Sequence, residues 1–161
     1  MEQLRHNILA QEIEDKERKG ISLISCYDLL CDTKNFLDEY YFGCYVGSTP
    51  EYTSKRIFVS VEGYARFLKV IFKAVLAKHM IHIKSAFGAK ALLFSIEFDA
   101  STLTENELDE LYEIAKKSGF ETEIYADKVV AKFNYASTAF SEFCSISKSI
   151  VYNMLKKILG L

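Results

Sequence analysis

The run SIEFDASTLTENELDEL at residues 95–111 places a single carboxylate where a β-rich segment ends and a helix follows. Thr104 and Glu107 form a T-x-x-E capping box, which predicts that the helix begins there. Asp99, at the end of the β-rich segment, could accept hydrogen bonds from a ligand. We prefer a local structural role, as a solvated acid at the strand end or a charge at the helix start, because a negative charge near a helix N-terminus is favourable. Asp99 is therefore the first candidate site residue.

The other residue types that support catalysis or metal binding are scattered along the chain. The histidines are His6, His79 and His82, and the cysteines are Cys26, Cys31, Cys44 and Cys144. No CxxC pair occurs, and neither set has the spacing of a metal site, so reduced thiols are expected. The string FSEFCSIS around Ser141 and Cys144 lacks the glycines of a nucleophile elbow. The sequence thus predicts no catalytic residue and no metal site.

Composition predicts a folded domain without a polyanionic partner. The chain has 161 residues, 50% of them hydrophobic and 26% charged, with a net charge of −2. A chain of this length buries about 70% of its unfolded surface, which is enough for a full core. No basic face dense enough for nucleic acid is evident. The charged start and the lack of a run of about 18 apolar residues predict a cytoplasmic chain without membrane contact.

Apolar periodicity along the chain predicts helices and strands in alternation. Helices are expected at Leu4 to Lys19, 27–42, 62–79 and from Thr104 to Gly119, with an amphipathic helix at the C-terminus. Strands are expected at 21–25, in GCYVG and KRIFVSV around a loop GSTPEYTSK, and as two strand pairs, 80–87 with 90–98 and 120–125 with 128–135. We predict an α/β fold, a two-layer sandwich with helices packed on one face of a mixed sheet. It forms a single domain, 1–161, with an N-terminal helix (1–20), an α/β core (21–135) and a C-terminal amphipathic helix (138–160).

This order of elements resembles the ATP-binding domain of sensor histidine kinases and their relatives in the GHKL superfamily. RIFVSVEGYARFLKVIFKAVLAKH is similar to the family's strand and long helix. LLFSIEFD is similar to the strand that ends in the aspartate which, in active members, bonds the adenine amino group. The resemblance implies a histidine-kinase-like ATPase fold, with extra terminal helices. It also implies that Asp99 is a cofactor-binding residue if ATP binds.

The resemblance breaks down at the positions that hold phosphate and magnesium. Lys69 and Lys73 stand where the family places a Glu and an Asn, and lysine cannot be an oxygen ligand of Mg²⁺. Ala100 to Leu103 replace the glycines after the aspartate, and the next helix follows too soon for a lid. We therefore expect a degenerate member that uses no cofactor and has little or no ATP binding.

The expected function is a non-catalytic regulatory or protein-interaction module in signal transduction of the two-component type, acting on a protein partner or as a homodimer. The alternatives are an ATP-binding kinase-type domain, or a histidine phosphotransferase using His6 as the phosphoacceptor. An α/β domain unrelated to this family is the remaining reading. The acidic stretch from Glu105 to Asp127 is a solvated face or a docking surface for a basic partner. The terminal helix packs on its own domain or forms a dimer.

Overall fold

The computed structural model describes residues 2–40, 44–46, 54–75, 81–143 and 149–160. The helices are α1 (Glu2–Arg18), α2 (Cys26–Tyr40), α3 (Val61–Val75), α4 (Glu105–Ser118) and α5 (Ile150–Ile158), with 3-10 helices at Ala100–Thr102 and Thr138–Phe140. The strands are β1 (Ser22–Ser25), β2 (Cys44–Val46), β3 (Arg56–Val59), β4 (Ile81–Phe87), β5 (Ala91–Glu97), β6 (Glu121–Ile124) and β7 (Lys128–Asn134). The predicted order of elements between residues 21 and 134 is confirmed.

The strands form two sheets. The larger has five strands in the order β2-β4-β5-β7-β6, with β2 parallel to β4 and the other neighbours antiparallel. The smaller pairs β1 with β3 in antiparallel register. The two segments GCYVG and KRIFVSV therefore enter different sheets, and residues 47–53 of the loop between them lie outside the described residues.

One face of the larger sheet carries the core. Along β7 the side chains of Val129, Ala131 and Phe133 are buried, while the intervening residues are more exposed. Tyr64 of α3 meets Phe94 of β5 and Phe133 edge to face, at ring distances of 6.1 and 5.9 Å. Helix α3 therefore packs on this face, since alternate strand residues point to the same side.

The opposite face of the sheet is polar. Lys84 of β4 pairs with Glu97 of β5 at 2.8 Å, and Lys132 of β7 with Glu121 of β6 at 3.7 Å. The predicted fold class, with helices on one face of a mixed sheet, is thus confirmed. It is consistent with a histidine-kinase-like ATPase fold.

Helices α3 and α4 run antiparallel in close contact. The amide of Ser60, just before α3, donates to the carbonyl of Ser118 at the end of α4, at 2.9 Å. A Cβ atom added at Gly63 would lie 1.7 Å from the Oγ of Ser118. A glycine is therefore required where the start of α3 crosses the end of α4.

The C-terminal helix is shorter than the 138–160 expected from the sequence. Residues 138–140 form a 3-10 turn that the Ser137 side chain caps, and α5 begins only at Ile150. Ser149 has a φ of 71°, a left-handed conformation that cannot continue a helix from the preceding residue. Residues 144–148 lie outside the described part of the chain.

Helix α5 packs on its own domain and takes its N-terminal cap from α2. The Asp32 carboxylate accepts the backbone N–H of Tyr152 at 3.3 Å, whereas Ser149 makes no side-chain cap. Val151 and Leu155 are fully buried in the common core. This arrangement matches the simpler of the two roles expected for the terminal helix.

Helix α1 lies at the periphery of the fold. None of its described side chains is buried, and Leu4 and Ile8 are 61% and 59% exposed. One of its contacts with the rest of the chain is made by Lys16, whose ammonium lies 4.8 Å from the ring centre of Phe58. The helix itself was expected from the sequence, and it ends before Gly20, which has a φ of 79°.

Candidate functional site

Helix α3 presents a basic stripe to solvent. Its inward residues, from Tyr64 to Phe72, recur at helical spacing and are buried. The residues on its outer side are therefore charged, and Arg66, Lys69 and Lys73 lie one turn apart along one line. Lys69 and Lys73 are the two lysines that stand where the family resembled by the sequence has the Glu and the Asn of its magnesium site.

Helix α4 presents an acidic stripe beside it. The capping box fixes the start of this helix, because Thr104 Oγ1 accepts from the N–H of Glu107 while the Glu107 carboxylate accepts from the N–H of Thr104. Leu111 and Ala115 face the core. Glu110 and Glu113 consequently point away from the core with Glu107, on the side next to α3.

The two stripes border an open groove of about 750 Å³, here called the α3–α4 groove. Its lining residues are Arg66, Lys69, Val70 and Lys73 from α3 and Glu107, Glu110, Glu113, Ile114 and Lys117 from α4. The half-buried Val70 and Ile114 form an apolar strip between the charged walls. The groove therefore has a basic wall, an apolar floor and an acidic wall.

The ion pairs of the groove run along each helix and not across the groove. Arg66 pairs with Glu62 at 2.9 Å and Lys117 with Glu113 at 2.7 Å. In both cases the hydrogen bond from the basic side chain holds the pKa of the carboxyl below its usual value.

Lys69, Lys73 and Glu110 differ from these paired residues. Within the described ranges, none of the three has an ion-pair partner within 4.0 Å. Uncompensated charges of opposite sign thus face each other across the groove.

Asp99 lies outside this groove. Its carboxylate caps the 3-10 helix Ala100–Thr102, accepting from the N–H of Ser101 at 3.2 Å and contacting the Ser101 hydroxyl. The side chain is exposed. The local structural role considered for Asp99 is therefore present, and its role toward adenine stays a prediction.

The connection between β5 and α4 is short and pinned. The N–H of Phe98 donates to the carbonyl of Asp127 at 3.1 Å, and the N–H of Ala100 to that of Ala126 at 2.9 Å. The side chains of Phe98, Ala100 and Leu103 are buried, with exposures of 7%, 4% and 7%. The segment is therefore held to the β6–β7 turn by its backbone and to the core by its side chains.

His6, the candidate phosphoacceptor, is an exposed residue of α1. Its ring stacks on Phe143 with the ring centres 4.8 Å apart and the planes 15° from parallel. It borders a shallow polar depression together with Glu2, Arg5 and Glu142. The phosphoacceptor role stays a prediction.

The described residues contain no cluster of three or more His, Cys, Asp or Glu side chains able to hold a metal ion. Cys26 is buried and Cys31 half-buried, and neither thiol takes part in a disulfide among the described residues. The side chains of Cys44 and Cys144, and the whole of His79, lie outside the described part. No described helix has the length and hydrophobicity that crossing a membrane requires.

Comparison with known proteins adds little to this. No protein-family model and no curated protein sequence matches the chain. Among solved structures, the Acinetobacter baumannii histidine kinase AdeS aligns with 84% of this chain and 82% of its own, at 11% sequence identity and a TM-score of 0.46. Similarity at this level carries no information about activity.

The residues of the α3–α4 groove do not fit Mg²⁺ and ATP as the resembled family holds them. That family coordinates the ion through oxygen atoms, whereas Lys69 and Lys73 offer only ammonium groups. Glu62, the acidic residue of α3, lies in the first turn and is engaged by Arg66.

Sequence reasoning named each wall of the groove separately. Lys69 and Lys73 stood out as misfits for magnesium, and Glu105 to Asp127 as an acidic stretch. It missed that the two stripes face each other. The available signal was the i, i+3, i+7 spacing of Arg66, Lys69 and Lys73 combined with antiparallel packing of α3 and α4.

Proposed function

We propose that this chain is a non-catalytic protein-interaction module built on a histidine-kinase-like ATPase fold. The observation that carries the proposal is the α3–α4 groove, whose α3 wall offers lysines in place of oxygen ligands. A groove with charged walls and an apolar floor is suited to a protein surface, where apolar contact supplies affinity and charge supplies orientation. The signalling setting rests on the sequence resemblance alone.

The environment of Asp99 supports the same proposal. An aspartate that recognises adenine needs a free carboxylate oxygen and a backbone that lets the base approach. Here Oδ1 of the carboxylate caps a 3-10 helix and accepts both contacts from Ser101, whereas Oδ2 has no hydrogen bond to the described residues. The adjoining backbone is held against the β6–β7 turn by two hydrogen bonds. Adenine would therefore have to reach Oδ2 beside a backbone that is already held in place, and this held backbone is what supports the proposal.

Calorimetric titration with ATP and with ADP, with and without Mg²⁺, tests the proposal directly. We expect no binding heat up to about 1 mM nucleotide, which corresponds to a binding free energy weaker than about −4 kcal/mol. Asp99→Ala and Ser101→Ala form a matched pair of variants. Both weaken the 3-10 cap, but only Asp99→Ala removes the carboxylate.

Micromolar ATP binding that Asp99→Ala abolishes and Ser101→Ala retains would refute the proposal. It would make the chain an ATP-binding kinase-type domain, with Asp99 on the adenine. Binding that both variants retain would also refute it, and would place the nucleotide away from the end of β5.

A further inference from the structure

We infer that the α3–α4 groove is the contact surface of a symmetric homodimer, in which α3 of each copy lies over α4 of the other. This inference rests on the proposed function, and it names a second copy of this chain as the partner. It is carried by the order of the three stripes across the groove: basic, apolar, acidic.

The geometry of a two-fold axis explains why these stripes complement themselves. When two copies meet face to face about an axis parallel to the helices, the left side of one surface lies over the right side of the other. The basic stripe of α3 then covers the acidic stripe of the second copy's α4, twice. A two-fold axis across the helices, in the plane of the contact, would instead set like charges together, which costs free energy.

The height of each residue along the groove gives the pairs. Because α3 and α4 are antiparallel, Lys73 lies at the same end as Glu107, and Lys69 lies near the level of Glu110. An axis along the groove preserves these heights. Lys69 of one copy therefore meets Glu110 of the second, and Lys73 meets Glu107. Lys69, Lys73 and Glu110, which have no ion-pair partner among the described residues, all gain one.

The apolar floor completes the contact. Val70 and Ile114 are half-buried and run between the charged walls. In the dimer the floors of the two copies face each other near the axis, where the flanking ion pairs shield them from bulk water. Burial of both floors supplies the affinity, and the charged walls fix the register.

The size of this surface predicts a weak dimer. Two adjacent helices of this length cover about 20 Å by 20 Å, or about 400 Å² per copy, half the roughly 800 Å² of a standard interface. We expect a dissociation constant on the order of 10–100 μM at low salt. Since exposed charges at the rim are screened, the constant should rise several-fold between about 50 mM and about 500 mM NaCl.

Charge reversal at two positions gives a decisive experiment by analytical ultracentrifugation of the full chain from about 5 to about 500 μM. Lys69→Glu alone sets a carboxylate at position 69 against Glu110 twice, and Glu110→Lys alone sets two lysines together twice. Each variant should weaken self-association at least about tenfold. Neither residue has an intrachain ion pair among the described residues, so both variants should fold normally, as checked by circular dichroism.

The two weakened variants should associate with each other more tightly than either does with itself when they are mixed in equal amounts. In that heterodimer the new carboxylate at position 69 of one chain meets the new ammonium at position 110 of the other. The second contact is the native pair of Lys69 and Glu110, so both contacts are between opposite charges. The chain carrying Lys69→Glu and Glu110→Lys together should likewise dimerise with itself, because both of its contacts are between opposite charges.

Lys90→Glu and Glu12→Lys make the same charge changes on exposed residues away from the groove, and they should leave the dissociation constant within about twofold.

A monomer at all concentrations would overturn the inference. So would a dimer that Lys69→Glu and Glu110→Lys leave intact, because the contact would then lie elsewhere. Failure of the mixed variants to associate would exclude the two-fold arrangement. These outcomes are independent of the nucleotide titration, so a failed dimer leaves the interaction module standing with a different partner.

Discussion

Replacing Gly63 with alanine should destabilise the fold, although alanine is the better helix former. A Cβ at this position would lie 1.7 Å from Oγ of Ser118 and 2.7 Å from its Cβ. The hydroxyl group can rotate away, but the Cβ atom cannot, and ordinary carbon contacts need about 3.5–4.0 Å. Helices α3 and α4 would have to separate by about 1 Å.

The expected loss follows from three contributions. Alanine in place of glycine in a helix favours folding by about 0.5–1 kcal/mol. Overpacking of a close contact costs about 1–3 kcal/mol. Separation of the helices also strains the hydrogen bond from Ser60 to Ser118, which is 2.9 Å long and contributes about 1 kcal/mol. The net destabilisation should be about 1–2 kcal/mol.

Urea unfolding followed by circular dichroism measures this loss as a shift in midpoint at unchanged slope. Ser118→Gly supplies the matched background, since it removes the atoms that the new Cβ would strike. In that background Gly63→Ala should be neutral or stabilise the fold by about 0.5 kcal/mol. The reasoning is refuted if Gly63→Ala is as stable as the parent chain, or if its cost is unchanged by Ser118→Gly.

Three further predictions concern buried polar groups. Burial raises the pKa of Asp32 above 3.8, so the stability that protonated Asp32 contributes is complete below pH 3.8 and is lost as the pH rises through the raised pKa. The stability of Asp32→Asn relative to the parent chain should therefore increase with pH in that range. A difference in urea titrations that does not change with pH would contradict this. Burial also raises the pKa of Cys26 to about 12, so iodoacetamide at about pH 8 should leave Cys26 unmodified in the native chain while half-buried Cys31 reacts. Equal labelling of the two cysteines in mass mapping would disprove this prediction. A double-mutant cycle of Thr33→Val and Tyr64→Phe should give a coupling of about 1 kcal/mol from their buried 2.8 Å hydrogen bond, and additive losses would exclude that bond.

The parts of the fold set by local chemistry were predictable from the sequence. Thr104 and Glu107 fix the start of α4 within four residues, and Gly119, with a φ of 90°, ends it. The strand pair β4–β5 is joined by a short turn at Gly88, so its antiparallel register also follows from neighbouring residues. Such signals need no knowledge of distant parts of the chain.

The parts set by distant contacts were not predictable. The cap of α5 joins Asp32 to Tyr152, 120 residues later, and no local pattern announces it. For the same reason the sequence predicts too early a start for the C-terminal helix, because apolar spacing continues through Phe140 and Phe143, which lie in a 3-10 turn and its following residues. The α3–α4 groove likewise exists only because two separate helices pack side by side.

The cap that α5 takes from α2 makes the C-terminal helix a conditional structure. With nine residues, α5 is shorter than the roughly 12–15 that an isolated helix needs in water. The N–H of Tyr152 in its first turn is satisfied by a carboxylate on α2, and the Tyr152 hydroxyl donates to Glu39 of the same helix at 2.6 Å. Helices α2 and α5 should therefore exchange their amide hydrogens as one cooperative unit, which opens before the sheets unfold.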